Sequence, residues 1–441
     1  MDMSTATKQS IIGCQKISAC RVCHSDKLSV FWDSGPIHIV EFPKIGEQPI
    51  KPKVPMQLAV CESCWLVQLM HTTDDQYLYE EFHYRSGTNE MMRSALMDLA
   101  YRGAQEIHLS RGDVVVDIGA NDGTLLSYLP KNVIRVACEP AKNLHPMLAE
   151  RADVLIPNLW SEAAYDRAMS PDIVSTLFAK RHAGISRKLD QTPKAKLVFA
   201  IAMFYDLNNP VQFCRDVARV LSEDGVFIVQ MNYLPTMLTC HGVDNIVHEH
   251  LTYFCLSTLL PVFRMAGLEI YKTEINAVNG GSIRVYACHR GQHMLDGSVA
   301  DLLGREYKLG LDSPVPYVSF TERAKEVTSV LQALLDGLSH EHAKVYAYGA
   351  STRGTTLLQL LNTEGRIAGC AERDTSKLGH YMVGSNVPIV SEDEFHKKAE
   401  FGLVLPWHFL PAIREREKPW LEKGNHLITP LPYPKILGVR E

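Results

Sequence analysis

Two histidines flank a glutamate in NIVHEHLTYF at 245–254. Three titratable groups in a row are costly to bury in an apolar core, so the run is expected at a cleft. A general base must hold a pKa near working pH, which histidine does unaided, and a neighbouring carboxylate can orient the ring or raise its basicity. His250 with Glu249 is therefore a candidate for deprotonating an acidic carbon. The run admits two other readings: His248, His250 and His241 as metal ligands, or the histidines as a hydrogen-bonded structural network.

A second chemistry-bearing stretch is VVVDIGANDGTLL at 114–126. A buried strand ends in Asp117, and Gly119, Ala120, Asn121 and Gly123 form a loop leading straight into a helix, where a backbone without Cβ lets a ligand approach closely. The spacing DxGxxxG lacks the GxGxxG that seats a pyrophosphate, whereas an acidic strand end can hold the ammonium of a methionine group. Glu139, followed by Pro140, ends the next strand, VIRVACE, where a carboxylate accepts hydrogen bonds from both ribose hydroxyls. Together they predict an S-adenosylmethionine site. Asn158, after DVLIP, is expected near the adenine, and Ala202 and Met203, in AIAMFYDL, near the sulfonium; Met203 and Phe204 equally suit core packing, and Asn121 and Asp122 equally suit loop shaping.

CRVC at 20–23 and CESC at 61–64 supply four thiols, and a CxxC turn points two thiolates at one centre. Cys20, Cys23, Cys61 and Cys64 are expected to hold a structural zinc, with Cys14 or His24 as substitutes for one ligand. Near 280, NGGSIRVY places Asn279 and Ser282 on a tight turn and Arg284 on the following strand, lining an acceptor pocket or merely shaping a hairpin. In YGASTRG at 348–354, Gly349, Arg353 and Gly354 form a strand-to-helix turn suited to phosphate, or an inherited packing turn.

These residues need elements to position them. VVVDIG, VIRVACEP, DVLIP, AKLVFAIAM and GVFIVQM are short apolar runs alternating with helical patterns, which implies βα units on a buried parallel sheet. MMRSALMDLAYRGAQEI predicts a helix leading into them, LEIYKTEI and GGSIRVYACH a closing antiparallel pair, and residues 343–410 a second doubly wound unit. The prolines between the CxxC pairs, Pro36 to Pro55, exclude a long helix there. The expected units are a zinc module over 1–78, an α/β cofactor domain over 79–300 and a Rossmann-like domain over 301–441, in keeping with a 441-residue chain. Hydrophobic residues at 46%, charged residues at 22% and a net charge of −5 describe an ordinary folded protein without the basic surface that nucleic acid requires. Without a leader-like N-terminus or an apolar run of bilayer length, the chain is read as cytoplasmic, with no membrane partner.

In its order of motifs, the CxxC pair, FHYRSG at 82–87, VVDIGANDGTLL, HEHLTYF, NGGSIRVY, YGASTRG and LPWHF at 405–409, the chain resembles the C-methyltransferases that act on nucleotide-activated 4-keto-deoxysugars. The resemblance spans nearly the whole chain. It implies a class I methyltransferase domain between the zinc module and a C-terminal domain that helps enclose a nucleotide sugar (dTDP- or GDP-linked), acting as a monomer or weak dimer. It also implies that the 4-keto group acidifies the C-3 proton, that a base matching His250 removes it beside Glu249, and that the enolate takes the methyl group. Tyr84 and His248 are the candidate donors to the enolate oxygen, and Tyr84 and Ser86 of FHYRSG also adjoin the cofactor. Val247 and Met203 depart from the family's tyrosine and histidine, so other acceptors stay open, as does a non-catalytic zinc- and nucleotide-binding module.

Overall fold

A computed structural model describes residues 13–78, 85–181 and 190–439. Its centre is a seven-stranded sheet: β1 (Val114–Ile118), β2 (Ile134–Cys138), β3 (Val154–Ile156), β4 (Ala195–Ile201), β5 (Leu221–Asn232), β6 (Leu268–Asn276) and β7 (Ser282–His289). Their spatial order is β6-β7-β5-β4-β1-β2-β3, and β7 runs antiparallel to both of its neighbours. This is the strand order that the resemblance to class I methyltransferases leads one to expect. Every residue of β1 is buried, because a parallel strand is covered on both faces.

The helix Glu90–Glu106 covers one face with Leu96, Leu99 and Ala100. Gly103 lets it come close, since a Cβ there would lie 2.7 Å from Phe199 Cζ on β4. On the other face Phe263 stacks between Phe204 and Phe227, with ring centroids 5.9 and 5.7 Å apart. The chain order reverses between β1 and β4, so their adjacent carboxyl ends open a crevice, the place where such sheets bind ligands.

The N-terminal module is an antiparallel sheet of Leu28–His38, Lys53–Cys61 and Val67–Leu69, completed by Thr252–Tyr253 from the central chain. Thr252 pairs with Gln68 and Tyr253 with Val67. Pro36 stands opposite Pro55, beside an irregularity in the ladder, as expected of residues that cannot donate to it.

The C-terminal sheet has the order Tyr381–Met382, Val387–Ser391, Cys370–Glu372, Val345–Tyr348, Phe401–Val404, His426–Thr429, Lys435–Leu437, with antiparallel pairing only at its two edges. The helices Gly297–Lys308 and Val315–His340 join it to the central domain. The first runs across the expected 300/301 boundary and packs with the central domain: buried Glu306 accepts hydrogen bonds from Tyr233 Oη at 2.7 Å and from the Leu256 amide at 2.6 Å. No helix among the described residues is long and apolar enough to cross a membrane.

Candidate active site

Asp117 lies at the carboxyl end of β1, buried, and no donor among the described residues hydrogen-bonds its carboxylate. Burial, reinforced by the charges of Glu139 and Asp122, pushes its pKa up to about 8. A buried carboxyl without a donor is stable only when neutral or when it meets a cation, which suits an ammonium group. Glu139, at the end of β2, accepts the amides of Asn121 and Ala141, one on each oxygen and both at 2.9 Å, which leaves lone pairs for two hydroxyls. Burial lifts its carboxyl above the ordinary range and those two amide bonds oppose the lift. Pro140 is half-buried between Glu139 and Ala141.

Gly119 has φ +72°, and a Cβ on it would meet Met203 Cγ at 3.0 Å, so the two face each other across the crevice between β1 and β4. Ala202, with φ +55°, donates its amide to the Gln230 carbonyl at 2.8 Å and turns the chain off β4. Phe204 is fully buried core, whereas Met203 is only half-buried. Asn158 is exposed beyond β3, its carbonyl accepting the Cys138 thiol at 3.2 Å.

Asn121 and Asp122 shape the loop by clasping a remote segment. Asn121 Oδ1 accepts the Ser86 amide and Asp122 Oδ2 the Gly87 amide, each at 2.9 Å, while Asp122 Oδ1 accepts Thr124 Oγ1 at 2.7 Å. Gly87 has no room for a side chain, since a Cβ would lie 2.6 Å from Asp122 Oδ2. Ser86 is thus pinned to the loop after β1; Tyr84 lies outside the described residues.

His250 follows the 3₁₀ turn Val243–Asn245, and its Nδ1 donates to the Asn245 carbonyl at 3.0 Å. A carbonyl only accepts, so the ring carries its proton on Nδ1 and Nε2 keeps the free lone pair. Tyr205, just beyond β4, packs on the ring with centroids 4.1 Å apart, and Tyr253 Oη donates to the same Asn245 carbonyl at 3.3 Å. Burial, aided by the Arg353 charge, drops the His250 pKa to about 3, well below the near-neutral value the sequence leads one to expect of the base, so the ring is a neutral but weak proton acceptor. Glu249 and Asp206 each bury one oxygen without a donor among the described residues, and burial raises both carboxyls; the Glu249 charge raises Asp206 further.

His248 departs from its expected place. It is buried against the N-terminal module, its Nε2 3.4 Å from the Val54 carbonyl, so as positioned it does not serve as the enolate donor. His241 packs edge-on against Tyr433, and no metal cluster among the described residues contains a histidine.

The four expected thiols do converge. The sulfurs of Cys20, Cys23, Cys61 and Cys64 all lie within 4.8 Å of one another, with Cys20–Cys64 at 3.6 Å and Cys23–Cys61 at 3.5 Å. Tetrahedral zinc with bonds of about 2.3 Å separates its sulfurs by roughly 3.8 Å, so the cage fits that ion and leaves no open position. Cys14 and His24 stand outside it.

The two arginines expected at the acceptor pocket are committed elsewhere. Arg284 is a buried sheet residue whose guanidinium meets Gln230 Oε1 at 2.9 Å, Glu274 at 3.1 Å and Asp98 at 3.2 Å, because a charge enclosed at β7 needs partners from its neighbours. Arg353 is bound through Nε and Nη2 to Asp244 at 2.9 and 2.8 Å, and through Nη1 to the Asn279 carbonyl at 2.7 Å, so it is not free for phosphate. Gly349, with φ +88°, abuts Pro406; Ser282 Oγ closes its own turn on the Val278 carbonyl at 2.8 Å. Asn279, Gly280 and Gly281 nevertheless line a narrow cavity of about 10 Å³ between the central and C-terminal domains, together with Asn232, Asn245, Arg353 and Trp407. Tyr205, Asp206, Asn245 and Asp244 escaped sequence reasoning; the nearest signal was their closeness to AIAM and HEH.

Residues 20–79 match the model of a putative zinc binding domain, and residues 277–432 that of a C-methyltransferase C-terminal domain. The C-methyltransferase NovU of Streptomyces niveus is 28% identical over 428 residues, which is 96% of this chain and 97% of that protein. Among solved structures, a putative methyltransferase bound to the Trm112 activator of Haloferax volcanii aligns at TM-score 0.32 and 15% identity, over 45% of this chain and 94% of that one. An S-adenosylmethionine-dependent methyltransferase of Clostridium acetobutylicum aligns at TM-score 0.30 and 12% identity, over 45% and 92%.

Proposed function

Since the chain belongs to the S-adenosylmethionine-dependent C-methyltransferases, we propose that its acceptor is a nucleotide-linked 4-keto-6-deoxysugar, methylated at C-3. The observation that carries the reading is the Asn245 carbonyl on His250 Nδ1, which leaves Nε2 as a neutral base beside the end of β4. The order of motifs shared with ketosugar methyltransferases supports the substrate class.

In this reading Asp117 takes the cofactor's ammonium, Glu139 its ribose hydroxyls, and Gly119 and Met203 face the space between. When bound, S-adenosylmethionine supplies the electrophilic methyl group. His250 Nε2 accepts the proton from the carbon beside the ketone, and the Nδ1 bond to Asn245 holds the ring in the accepting tautomer while charge builds on it. Enclosure by Tyr205 and Tyr253 keeps water from the carbanion equivalent. Tyr84 remains the proposed donor to the enolate oxygen, and Asn279, Ser282 and Gly349 the proposed borders of the sugar nucleotide.

The protein is incubated with S-adenosylmethionine and dTDP- or GDP-linked 4-keto-6-deoxyhexoses in deuterated buffer. A product heavier by one methyl group, and deuterium at C-3 of the recovered unmethylated ketosugar, are expected; failure of both with every ketosugar removes the sugar assignment. A different small acceptor is favoured by one observation, the replacement of the family's tyrosine and histidine by Val247 and Met203.

A further inference from the structure

Asp244 is fully buried, and its partners come from another domain. Its Oδ2 accepts Arg353 Nε at 2.9 Å, Arg353 Nη2 at 2.8 Å and Trp407 Nε1 at 3.0 Å. Arg353 starts the helix Thr352–Gln359, which packs on the turn that holds Asp244, and Trp407 stands on the loop after Phe401–Val404. The same guanidinium reaches across to the Asn279 carbonyl at 2.7 Å, and Gly280 leaves room for Trp407, whose ring would lie 3.5 Å from a Cβ there. Three donors on one oxygen of a buried carboxylate tie the turn to the C-terminal domain, so the two keep one relative placement.

The next residue along the chain is Asn245, whose carbonyl fixes the proton of His250 on Nδ1. Its side chain is itself tied down, accepting from Asn232 Nδ2 and lying 3.7 Å from Met237 Sδ. The interdomain ion pair and the atom that sets which nitrogen of the base is free thus belong to consecutive residues.

We infer that Asp244 is a positioning residue for the methyl transfer: through Arg353 and Trp407 it locks the Val243–Asn245 turn so that the Asn245 carbonyl holds His250 with Nε2 free. The inference rests on His250 being the base, and it makes the C-terminal domain a part of the proton-transfer apparatus rather than only a wall of the substrate cleft.

The test is the tautomer of His250, read by nitrogen NMR on the full chain labelled in histidine, with His250→Gln to assign the signal. In the unaltered protein Nε2 reports as the unprotonated nitrogen. Asp244→Ala frees the turn; the expected results are a signal averaged between the two tautomers, and kcat lower by roughly 100-fold, the usual cost of misplacing a catalytic group by about an ångström, with affinity for S-adenosylhomocysteine unchanged. Should Asp244→Ala not fold, Trp407→Phe removes one donor and moves both readouts the same way by a smaller amount. A His250 signal and a kcat that stay as in the unaltered protein, in either folded variant, overturn the inference. Because the NMR measurement needs no acceptor, a protein that methylates no ketosugar yet loses its His250 tautomer in Asp244→Ala sinks the substrate assignment alone.

Discussion

Asp117→Asn isolates the group on which cofactor binding is expected to turn. With the Asp117 pKa at about 8, the carboxyl at pH 7 is protonated by roughly ten to one. An ammonium group prefers the charged form, so binding must expel that proton, and the expulsion costs on the order of 1–2 kcal/mol at pH 7 and more at pH 6. The sign follows: below pH 8 affinity rises with pH, close to tenfold per unit. S-adenosylhomocysteine carries the same ammonium without a transferable methyl group, and between pH 6 and 7 an α-amino group stays charged, so the dependence belongs to the protein. Calorimetry in phosphate and in Tris at pH 7 reads the released proton directly as a difference in heat, and should give a substantial fraction of one proton per site. Asp117→Asn keeps the shape and removes the charge; it should bind more weakly, with no proton release and a flat profile. Equal heats in the two buffers for the unaltered protein, with the same affinity at pH 6 and 7, would refute the placement of the ammonium on a neutral buried carboxyl.

His250→Ala should lower turnover by about 10²- to 10⁴-fold, together with deuterium uptake beside the ketone. Its pKa near 3 keeps the ring neutral from pH 8 to 6, so kcat at saturating cofactor should not fall over that window even as the KM for cofactor rises. Elemental analysis should find one zinc per chain, and stripping it with a chelator, or making Cys61→Ser, should lower Tm by more than about 5 °C. Arg284→Met tests the reassignment of that residue: a stability loss of roughly 1–3 kcal/mol in denaturant titration is expected, because Glu274 and Asp98 can partly rehydrate, with little change in the KM of the sugar. Unchanged stability with a raised KM would return Arg284 to the acceptor pocket.

The parts of the site that could be read from the sequence are those whose geometry is local. CRVC, CESC, the DxGxxxG loop and the glutamate ending the next strand each depend on a turn or a strand end, and a few neighbouring residues fix those. What was hidden depends on partners distant along the chain. Asp98 lies 186 residues from Arg284 and Asp244 lies 109 from Arg353, and no periodicity links such pairs, so both arginines looked free for substrate. In an extended segment His248 and His250 would project to one side, but the 3₁₀ turn and the strand Thr252–Tyr253 flank the segment, and the rings reach different partners, the Val54 carbonyl and the Asn245 carbonyl. Asn245 acts through its main-chain carbonyl, which residue type does not advertise.

The strand Thr252–Tyr253 also bears on how the protein is made. The zinc module emerges first from the ribosome, but the edge of its sheet at Val67–Leu69 has no partner until a segment roughly 180 residues later appears. At about 5–20 residues per second that edge stands open for on the order of ten to forty seconds. An unpaired, fully buried-type edge of this kind invites strand addition from other chains, so loss of zinc during synthesis should show first as aggregation of nascent chains rather than as a slower enzyme.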